Sequence, residues 1–386
     1  MTVTVSKPAL NLREELSALK KPSGIKGEEL LRANTVADVY ASLNPTMFRN
    51  RIINGDMRID QRNAGASVSG ELFAVDRFRS FNQSDGTITS QQVSDAPAGF
   101  NYSYKITVNT ADTSLGTIQY MELRQNIEGY NAADFGWGTA AAKPVTLSFW
   151  VKSSLTGTFG GTFMNSSVNR SHPFSYTISA GNSWEYKTIT VPGDTTGTWD
   201  KTNGTGMFLM LNLGAGTDWQ GTAGAWVGSR KQTVSGAVSL IGTANATWQI
   251  TGVQVEVGTV ATPFEHRPFG TELALCQRYF QTMTFGSGGG GTYGPVSFAR
   301  NNVTLCGGQV SLMVPMRAAP TQAYTNNSAQ IMTADGSTQS GGTIGSSIVS
   351  PYAFSYEVSY PSGGLTNGRA YGWYGGSWVV QSNAEL

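Results

Sequence analysis

Residues 248–280 read WQITGVQVEVGTVATPFEHRPFGTELALCQRYF. The first part has the two-residue period of a strand. Val253, Val255 and Val257 share one face, and Gln254 and Glu256 the other. Trp248 and Ile250 lie on the opposite parity, which predicts a β-bulge at Thr251-Gly252. Thr262-Pro263 and Arg267-Pro268 then keep the chain extended, because proline restricts both itself and the residue before it. Thr271 is placed to cap a helix in which Leu273, Leu275, Cys276 and Phe280 recur at helical spacing. The segment reads as the last strand of one β domain passing into a second domain.

Bulk properties agree. A chain of 386 residues has room for two or three domains. Charged residues make up 13%, against about a quarter in ordinary soluble domains. The 47 glycines, with abundant Ser, Thr and Asn, favour short strands and tight turns. An aromatic content of 11% is too high for a disordered chain. The net charge of +1, without a Lys/Arg block, argues against a nucleic-acid groove. No apolar run approaches the ~20 residues of a membrane span, and MTVTVSKPALNLREEL has no signal-peptide core, so no membrane insertion is expected. Two cysteines, Cys276 and Cys306, are too few for a disulfide framework and are expected as buried thiols.

Three regions follow. Residues 1–45 carry short helices. Leu12, Leu16 and Leu19 line one helical face, and a third helix starts at a capping-box pattern, Thr35 and Asp38, and stops at Asn44-Pro45. Helices this short need a surface to pack on, which marks an attachment or oligomerisation tail; packing on the chain's own β domain is the alternative. Residues 46–270 read as one all-β sandwich or jelly roll. Tyr102, Tyr104, Ile106 and Val108 alternate with polar residues, as do Val145, Leu147, Phe149 and Val151. Met207–Leu213 is apolar on both parities and should be covered on both faces. Residues 271–386 form a C-terminal β domain, with strands at Gln309–Met316 and at Tyr352, Phe354, Tyr356, Val358 and Tyr360.

ITGVQVEVGTVATPFEHRPFGTELALCQRYF resembles the closing motif of bacteriophage tail-fibre and minor virion proteins. RNRIINGDMRIDQRN (49–63) with VDRF (75–78) resembles that family's opening strand. WEYKTITVPGDTTGTW (184–199) resembles its central hairpin, and MRAAPT (316–321) with the final NAEL its C-terminal tip domain. The resemblance covers most of residues 49–386 in the expected order. It implies a virion location, a jelly-roll β-sandwich, a homotrimer and recognition of host-surface polysaccharide. It implies no reaction and names no binding residue. A protein made in a reducing cytoplasm for use outside the cell also fits the two free thiols.

The residues themselves offer little catalytic chemistry. Gly286, Gly288 and Gly291 match GxGxxG, but no helix pattern follows, so a mobile loop is expected. His172, expected in a loop, and His266 have no partner at metal-ligand spacing. The acidic residues are scattered, although folding could unite Glu122, Glu128 and Glu185 into a glycosidase-like set. No EF-hand-like loop exists, so a structural calcium has no assigned ligands, and no cofactor is expected. The best candidates are aromatic residues in polar, Gly-rich surroundings, because rings stack on the C–H faces of sugars. These are Trp137, Trp199 and Trp219, and the group Arg369, Tyr371, Trp373, Tyr374 and Trp378 in RAYGWYGGSW. Trp150, on a strand, should pack between layers or against the helical tail.

The expected protein is a phage fibre bound to tail or capsid proteins through residues 1–45. Its rivals are a purely structural head decoration or head fibre and a glycan-degrading tailspike. Deleting residues 1–45 should leave a folded β protein that no longer enters particles; an aggregating truncation would instead place the helices in the core.

Overall fold

Alternating apolar and polar residues build two six-stranded antiparallel sheets. The computed structural model describes residues 48–285, 297–299, 304–325, 329–333, 338–360, 365–366, 370–373 and 378–386. The helices of residues 1–45, with Leu12, Leu16 and Leu19, and the glycine run 288–291 lie outside the described residues. The first sheet holds β1 (Val68–Ser69), β4 (Thr87–Val93), β5 (Ser103–Thr110), β7 (Val145–Ser153), β10 (Glu185–Val191) and β14 (Thr247–Val257). Their order is β1-β4-β5-β14-β7-β10. The second holds β2 (Phe73–Val75), β3 (Phe78–Asn82), β6 (Tyr120–Glu128), β8 (Gly157–Asn165), β9 (Ser171–Ile178) and β11 (Thr205–Ala215). Their order is β2-β3-β6-β11-β8-β9. From β5 to β14 the chain crosses repeatedly between the sheets, which makes the sandwich a jelly roll. A short parallel pair, β12 (Gln220–Gly221) and β13 (Thr233–Val234), lies in the long connection after β11.

The inward rows form one core that includes Tyr104, Ile106, Val108, Leu147, Phe149, Phe159, Phe163, Leu209, Leu211 and Trp248. β11 is buried on both faces from Gly206 to Ala215, as its sequence requires. The bulge in β14 is present: Thr251 faces Trp150, whereas Gln254 faces Ser148. Gly252 sits there at φ +62, and a Cβ on it would meet the Phe100 ring at 2.7 Å. The parity change lets Trp248, Ile250, Val253 and Val255 all reach the core. Val257, past that core, is instead exposed. Gln254 and Glu256 are buried as well, because the crossing segment folds back over them. Thr262 donates its N–H (2.8 Å) and hydroxyl (2.7 Å) to Glu256, and the Glu265 N–H donates to Gln254 (2.9 Å).

Several local expectations are corrected. Residues 49–63 are no strand. Asn54 takes a left-handed conformation (φ +60) and turns the chain before a second row of ladder bonds can form. Residues 50–55 instead finish the sheet where β14 leaves β5. Arg51 N–H donates to Val255 O (2.8 Å), and Val253 N–H donates to Gly55 O (2.9 Å). Residues 184–199 form no hairpin: β10 pairs with β7, and a loop follows. His172 lies in β9 and not in a loop. The helix spans Phe269–Gln277, so Thr271 lies inside it; the Glu272 N–H bonds Pro268 O (3.1 Å), and Pro268 holds the cap position. Phe280 falls beyond the helix and opens the next strand. The strand expected at 309–316 covers residues 305–311, after which Leu312 and Met316 bond back to the loop at 351–352.

The C-terminal part has β15 (Phe280–Phe285), β16 (Ser297–Ala299), β17 (Leu305–Ser311), β18 (Thr321–Thr325), β19 (Ala329–Thr333), β20 (Thr338–Val349), β21 (Ala353–Ser359), β22 (Ala370–Trp373) and β23 (Trp378–Asn383). Six of them close a barrel, β16-β17-β21-β20-β19-β22, and β15-β23-β18 form a small sheet. Phe354, Tyr356, Val358 and Tyr360 fill the barrel core together with Cys306. Tyr352, at the head of that row, is exposed. Cys276 and Cys306 are both buried free thiols.

Residues 50–386 form one compact unit, and a third core joins its two parts. Ile53 and Ile59 from the sandwich side pack there with Cys276 and Tyr279. A polar layer surrounds them. Glu128 of β6 accepts from Arg278 (2.9 and 2.5 Å) and from the Tyr279 hydroxyl (2.5 Å). Arg77 and Arg62 both pair with Glu385, and Arg62 also pairs with Asp76 (3.0 Å). Arg317, in the segment expected at a distal tip, instead lies at this junction: it donates to Ala384 O (2.6 Å), Glu385 O (2.9 Å) and Asn203 O (3.0 Å). Glu128→Ala would strand Arg278 and the buried Tyr279 hydroxyl. It should cost about 1–3 kcal/mol in equilibrium unfolding, chiefly for leaving the buried Tyr279 hydroxyl without its acceptor, since Arg278 is 34% exposed. A cost below ~1 kcal/mol would mean that the junction does not hold the two parts together.

Candidate functional site

The three loop tryptophans separate by burial. Trp137 and Trp199 are core residues, 2% and 8% exposed, and so are not stacking platforms for a ligand. They pack edge to face at 4.8 Å, and each meets Trp226, at 5.1 and 5.4 Å. Their indole N–H groups are already used: Trp137 donates to Lys143 O (2.8 Å) and Trp199 to Asp194 (3.0 Å), which also holds Arg170. His172 lies against Trp226 with neither ring nitrogen bonded, and burial pushes its pKa down, favouring the neutral ring. These residues close one end of the sandwich. Tyr371 is also buried, its hydroxyl accepting the Thr366 N–H at 2.7 Å. Trp373 belongs to β22 and Trp378 opens β23, so RAYGWYGGSW is partly strand and not one open loop. Arg369 and Tyr374 lie outside the described residues.

Trp219 is different. It is half-buried in a short 3-10 turn, Thr217–Trp219, at the start of the connection that returns over the outer face of the second sheet. Its indole N–H donates to Ile118 O (2.6 Å), and its carbonyl accepts the Gln232 N–H (2.8 Å). The Arg230 guanidinium lies over its ring at 4.3 Å and over Tyr120 of β6 at 5.1 Å. Trp219, Arg230 and Tyr120 therefore form a stacked rim.

Below the rim the sheet register fixes a polar row. Glu122 of β6 faces Asn212 of β11, which faces Gly160 of β8. A Cβ on Gly160 would stand 2.2 Å from the Thr233 hydroxyl, so only glycine lets the overlying segment come this close. Glu122, Asn212, Gln232 and Thr233 are all buried. Several of their polar atoms have no hydrogen-bond partner: Glu122 Oε2, Asn212 Nδ2, both amide atoms of Gln232 and Thr233 Oγ1. Arg230 Nε is unpartnered too. Glu122 is held on its other oxygen by Arg124, which also covers Phe81 (4.2 Å) and Phe208 (4.9 Å). Burial pushes the Glu122 carboxyl above its ordinary range, while Arg124 and Arg230 pull it back. An unpaired buried polar atom costs about 1–3 kcal/mol, so this cluster would be stabilised by bound water or by another polar partner.

Past Arg124 the face meets a small cavity of about 20 Å³ between Phe73, Arg79, Phe81 and Asn126 and the junction residues Arg77, Glu385 and Leu386. Aromatic groups with unpaired donors and acceptors can bind a hydroxyl-rich molecule without bond making. The outer face of the first sheet contrasts with it. Trp150, Trp184 and the exposed Tyr186 lie there, but Lys152 and the Trp184 indole are already engaged by Asp95. Trp150 thus meets Tyr186 in a tilted pair (5.3 Å) and does not pack between the layers; the helical tail, its other expected partner, lies outside the described residues. The three carboxylates considered together do not meet. Glu122 and Glu128 sit six residues apart on β6, about 20 Å at strand spacing, and Glu185 belongs to the other sheet. Among the described residues no group of three or more His, Cys, Asp or Glu could hold a metal ion.

The sequence nominated Trp219 but missed its partners. YMELRQNIE (120–128) held the signal: its outward residues Tyr120, Glu122, Arg124, Asn126 and Glu128 are all long and polar or aromatic. Arg230, Gln232 and Asn212 gave no local signal.

No protein-family model matches the sequence, and no curated protein is significantly similar to it. Among solved structures the chain is similar to the enzymatically active domain of bacteriophage CBA120 tailspike protein 4 (13% identity, TM-score 0.31), over 54% of this chain and 22% of that one. It is also similar to TmCBM61, solved in complex with β-1,4-galactotriose (10% identity, TM-score 0.27, 54% of this chain and 99% of that one). A third similar structure is a putative sugar-binding protein from Bacteroides thetaiotaomicron (11% identity, TM-score 0.31, 54% and 100%). The chain spans about a fifth of the tailspike structure. Likeness at this level says nothing of a ligand or a reaction.

Burial predicts opposite costs for two tryptophans. Trp137→Ala should destabilise the protein by about 3–5 kcal/mol in chemical unfolding, as a core deletion does. Trp219→Ala should cost about 1 kcal/mol or less, as a surface substitution does. Similar costs would refute the division into core and rim.

Proposed function

We propose that this protein is a bacteriophage virion fibre that binds host-surface glycan on the outer face of its second sheet. The observation that supports the ligand most directly is the group of unpaired polar atoms beside the Trp219–Arg230–Tyr120 rim. A saccharide suits both features: its C–H face packs on the rings of the rim, and its hydroxyls connect through bridging water to the buried Glu122, Asn212 and Gln232. The virion role rests on the sequence resemblance across residues 49–386. In this reading residues 1–45 attach the fibre to tail or capsid proteins, and a trimer multiplies weak contacts into firm adhesion. Binding is non-covalent.

A purely structural decoration would leave those polar atoms serving only bound water. A glycan-degrading tailspike would need two carboxylates facing each other across the face, and Glu122 has no such mate among Glu128 and Glu185.

The full chain should bind immobilised host-surface polysaccharide. Trp219→Ala and Tyr120→Ala should each weaken that binding about tenfold, the effect of losing ~1.4 kcal/mol of stacking. Trp184→Ala, on the other sheet, should leave it unchanged. A wild-type protein that binds none of the host polysaccharides would favour the decoration role; loss on Trp184→Ala alone would move the site to the first sheet.

A further inference from the structure

The charge balance on this face specifies the ligand more narrowly. Among the described residues most arginines with a polar partner are matched by acids, although Arg317 is held by backbone carbonyls alone. Arg124 pairs with Glu122, Arg79 with Glu71 (3.7 Å), Arg170 with Asp194 (2.6 Å) and Arg278 with Glu128 (2.5 Å). Arg62 and Arg77 share Glu385. Arg230 has no such match: the described residues give it neither an ion pair nor a hydrogen bond. Stacking between Trp219 and Tyr120 holds its plane, and its Nε is buried without an acceptor. Lys231, next in the chain, donates to the backbone carbonyl of Asp218 (2.8 Å) and makes no ion pair.

We infer that the glycan bound on this face is acidic and that Arg230 pairs with its anionic group. A planar guanidinium fixed by two rings is pre-organised to bind a carboxylate or sulfate by two parallel hydrogen bonds. The groups around it divide by role. Asn212 and Gln232 supply unpaired amide donors, and Thr233 an unpaired hydroxyl. Gln232 Oε1 and Glu122 Oε2 are unpaired acceptors that bridging water would connect to sugar hydroxyls. The acids that face Arg230 do not displace the ligand. Glu122 is neutralised by Arg124, Glu71 lies with Arg79, and Asp218 points its carbonyl, not a bonded carboxylate, at Lys231. An anion here would meet a half-buried cation that forms no ion pair among the described residues and feels Glu122 only at longer range. A neutral sugar would not use that charge.

This inference rests on the glycan reading of the same face, and one experiment separates the two. Full-length protein is titrated against acidic bacterial polysaccharides of known composition, each beside its carboxyl-reduced counterpart, with sulfated and neutral polysaccharides as further arms. The expected result is binding to acidic polymers that carboxyl reduction abolishes, or binding confined to the sulfated arm if the acid group is a sulfate. Binding should weaken with added salt. Arg230→Gln should lower affinity about ten- to a hundredfold, the range for a charge-assisted bond, and Arg230→Lys should restore part of it. Lys105→Gln, on the opposite sheet, should bind as wild type, which excludes general attraction to polyanions. Equal binding to reduced or neutral polymers, or an Arg230→Gln protein with unchanged affinity, overturns the acidic ligand and leaves the glycan site standing. Binding to no polysaccharide overturns both.

Discussion

Asn54 stands in a left-handed turn where the sandwich meets the C-terminal part, and its bonds organise both. Its side-chain carbonyl accepts the Ile59 N–H (2.9 Å), and its amide donates to Ile59 O (2.8 Å) and Asp76 O (2.9 Å). Its own N–H donates to Glu272 of the helix Phe269–Gln277 (2.5 Å). Arg267 sits behind, pairing with Glu272 (3.2 Å) and Glu265 (3.1 Å) and donating to the Ile52 carbonyl (3.2 Å). Burial pushes the Glu272 carboxyl up, and Arg267 pulls it back. The sandwich needs residues 50–55 to finish its sheet beside β14, and the helix needs them as its floor. Buried ionic knots of this kind add little net stability over an apolar core. Here each donor and acceptor fits one arrangement, so the knot fixes how the barrel is set on the sandwich.

That constraint also orients the candidate site. β6 runs from the rim at Tyr120, through Glu122 and Arg124, to Glu128 at the junction. Its outward side chains are thus matched to acids or bases at one end and left open at the other. The two outer faces of the sandwich differ in the same way. On the first sheet, Asp95 takes up Lys152 and the Trp184 indole, which leaves an aromatic surface with its charges satisfied. On the second, Arg230 lies over two rings and makes no ion pair among the described residues. A side chain held by stacking keeps its hydrogen-bonding capacity, whereas one held by an ion pair has used it.

Features carried by local period were legible in the sequence. The alternation in β5, β7 and β21, the two-sided burial of β11 and the bulge at Gly252 all followed from spacing. Errors arose where a long-range partner decided the outcome. Residues 49–63 resemble an opening strand but are bent by Asn54 and anchored by a helix more than two hundred residues away. Thr271 looks like a cap until Pro268 starts the helix a turn earlier. Trp137 and Trp199 sit in Gly- and Thr-rich stretches that suggest exposed loops, yet loops that fold inward carry their rings into the core. Trp219 lies in similar surroundings and stays at the surface because Ile118 holds its indole outside the sheet.

The sequence by itself determined a β-rich chain with a strand-to-helix handover near residue 270, buried thiols and little charge. These are matters of period and composition, and they survive whatever the chain packs against. The tertiary structure alone decided which aromatic rings are available to a ligand and that Arg230 lies over two of them without an ion pair among the described residues. Both depend on register between strands far apart in sequence. Glu122 meets Asn212 only because β6 pairs with β11, and Arg230 reaches Tyr120 only because the connection after β11 folds back over that pair. No local pattern of residues encodes such a meeting.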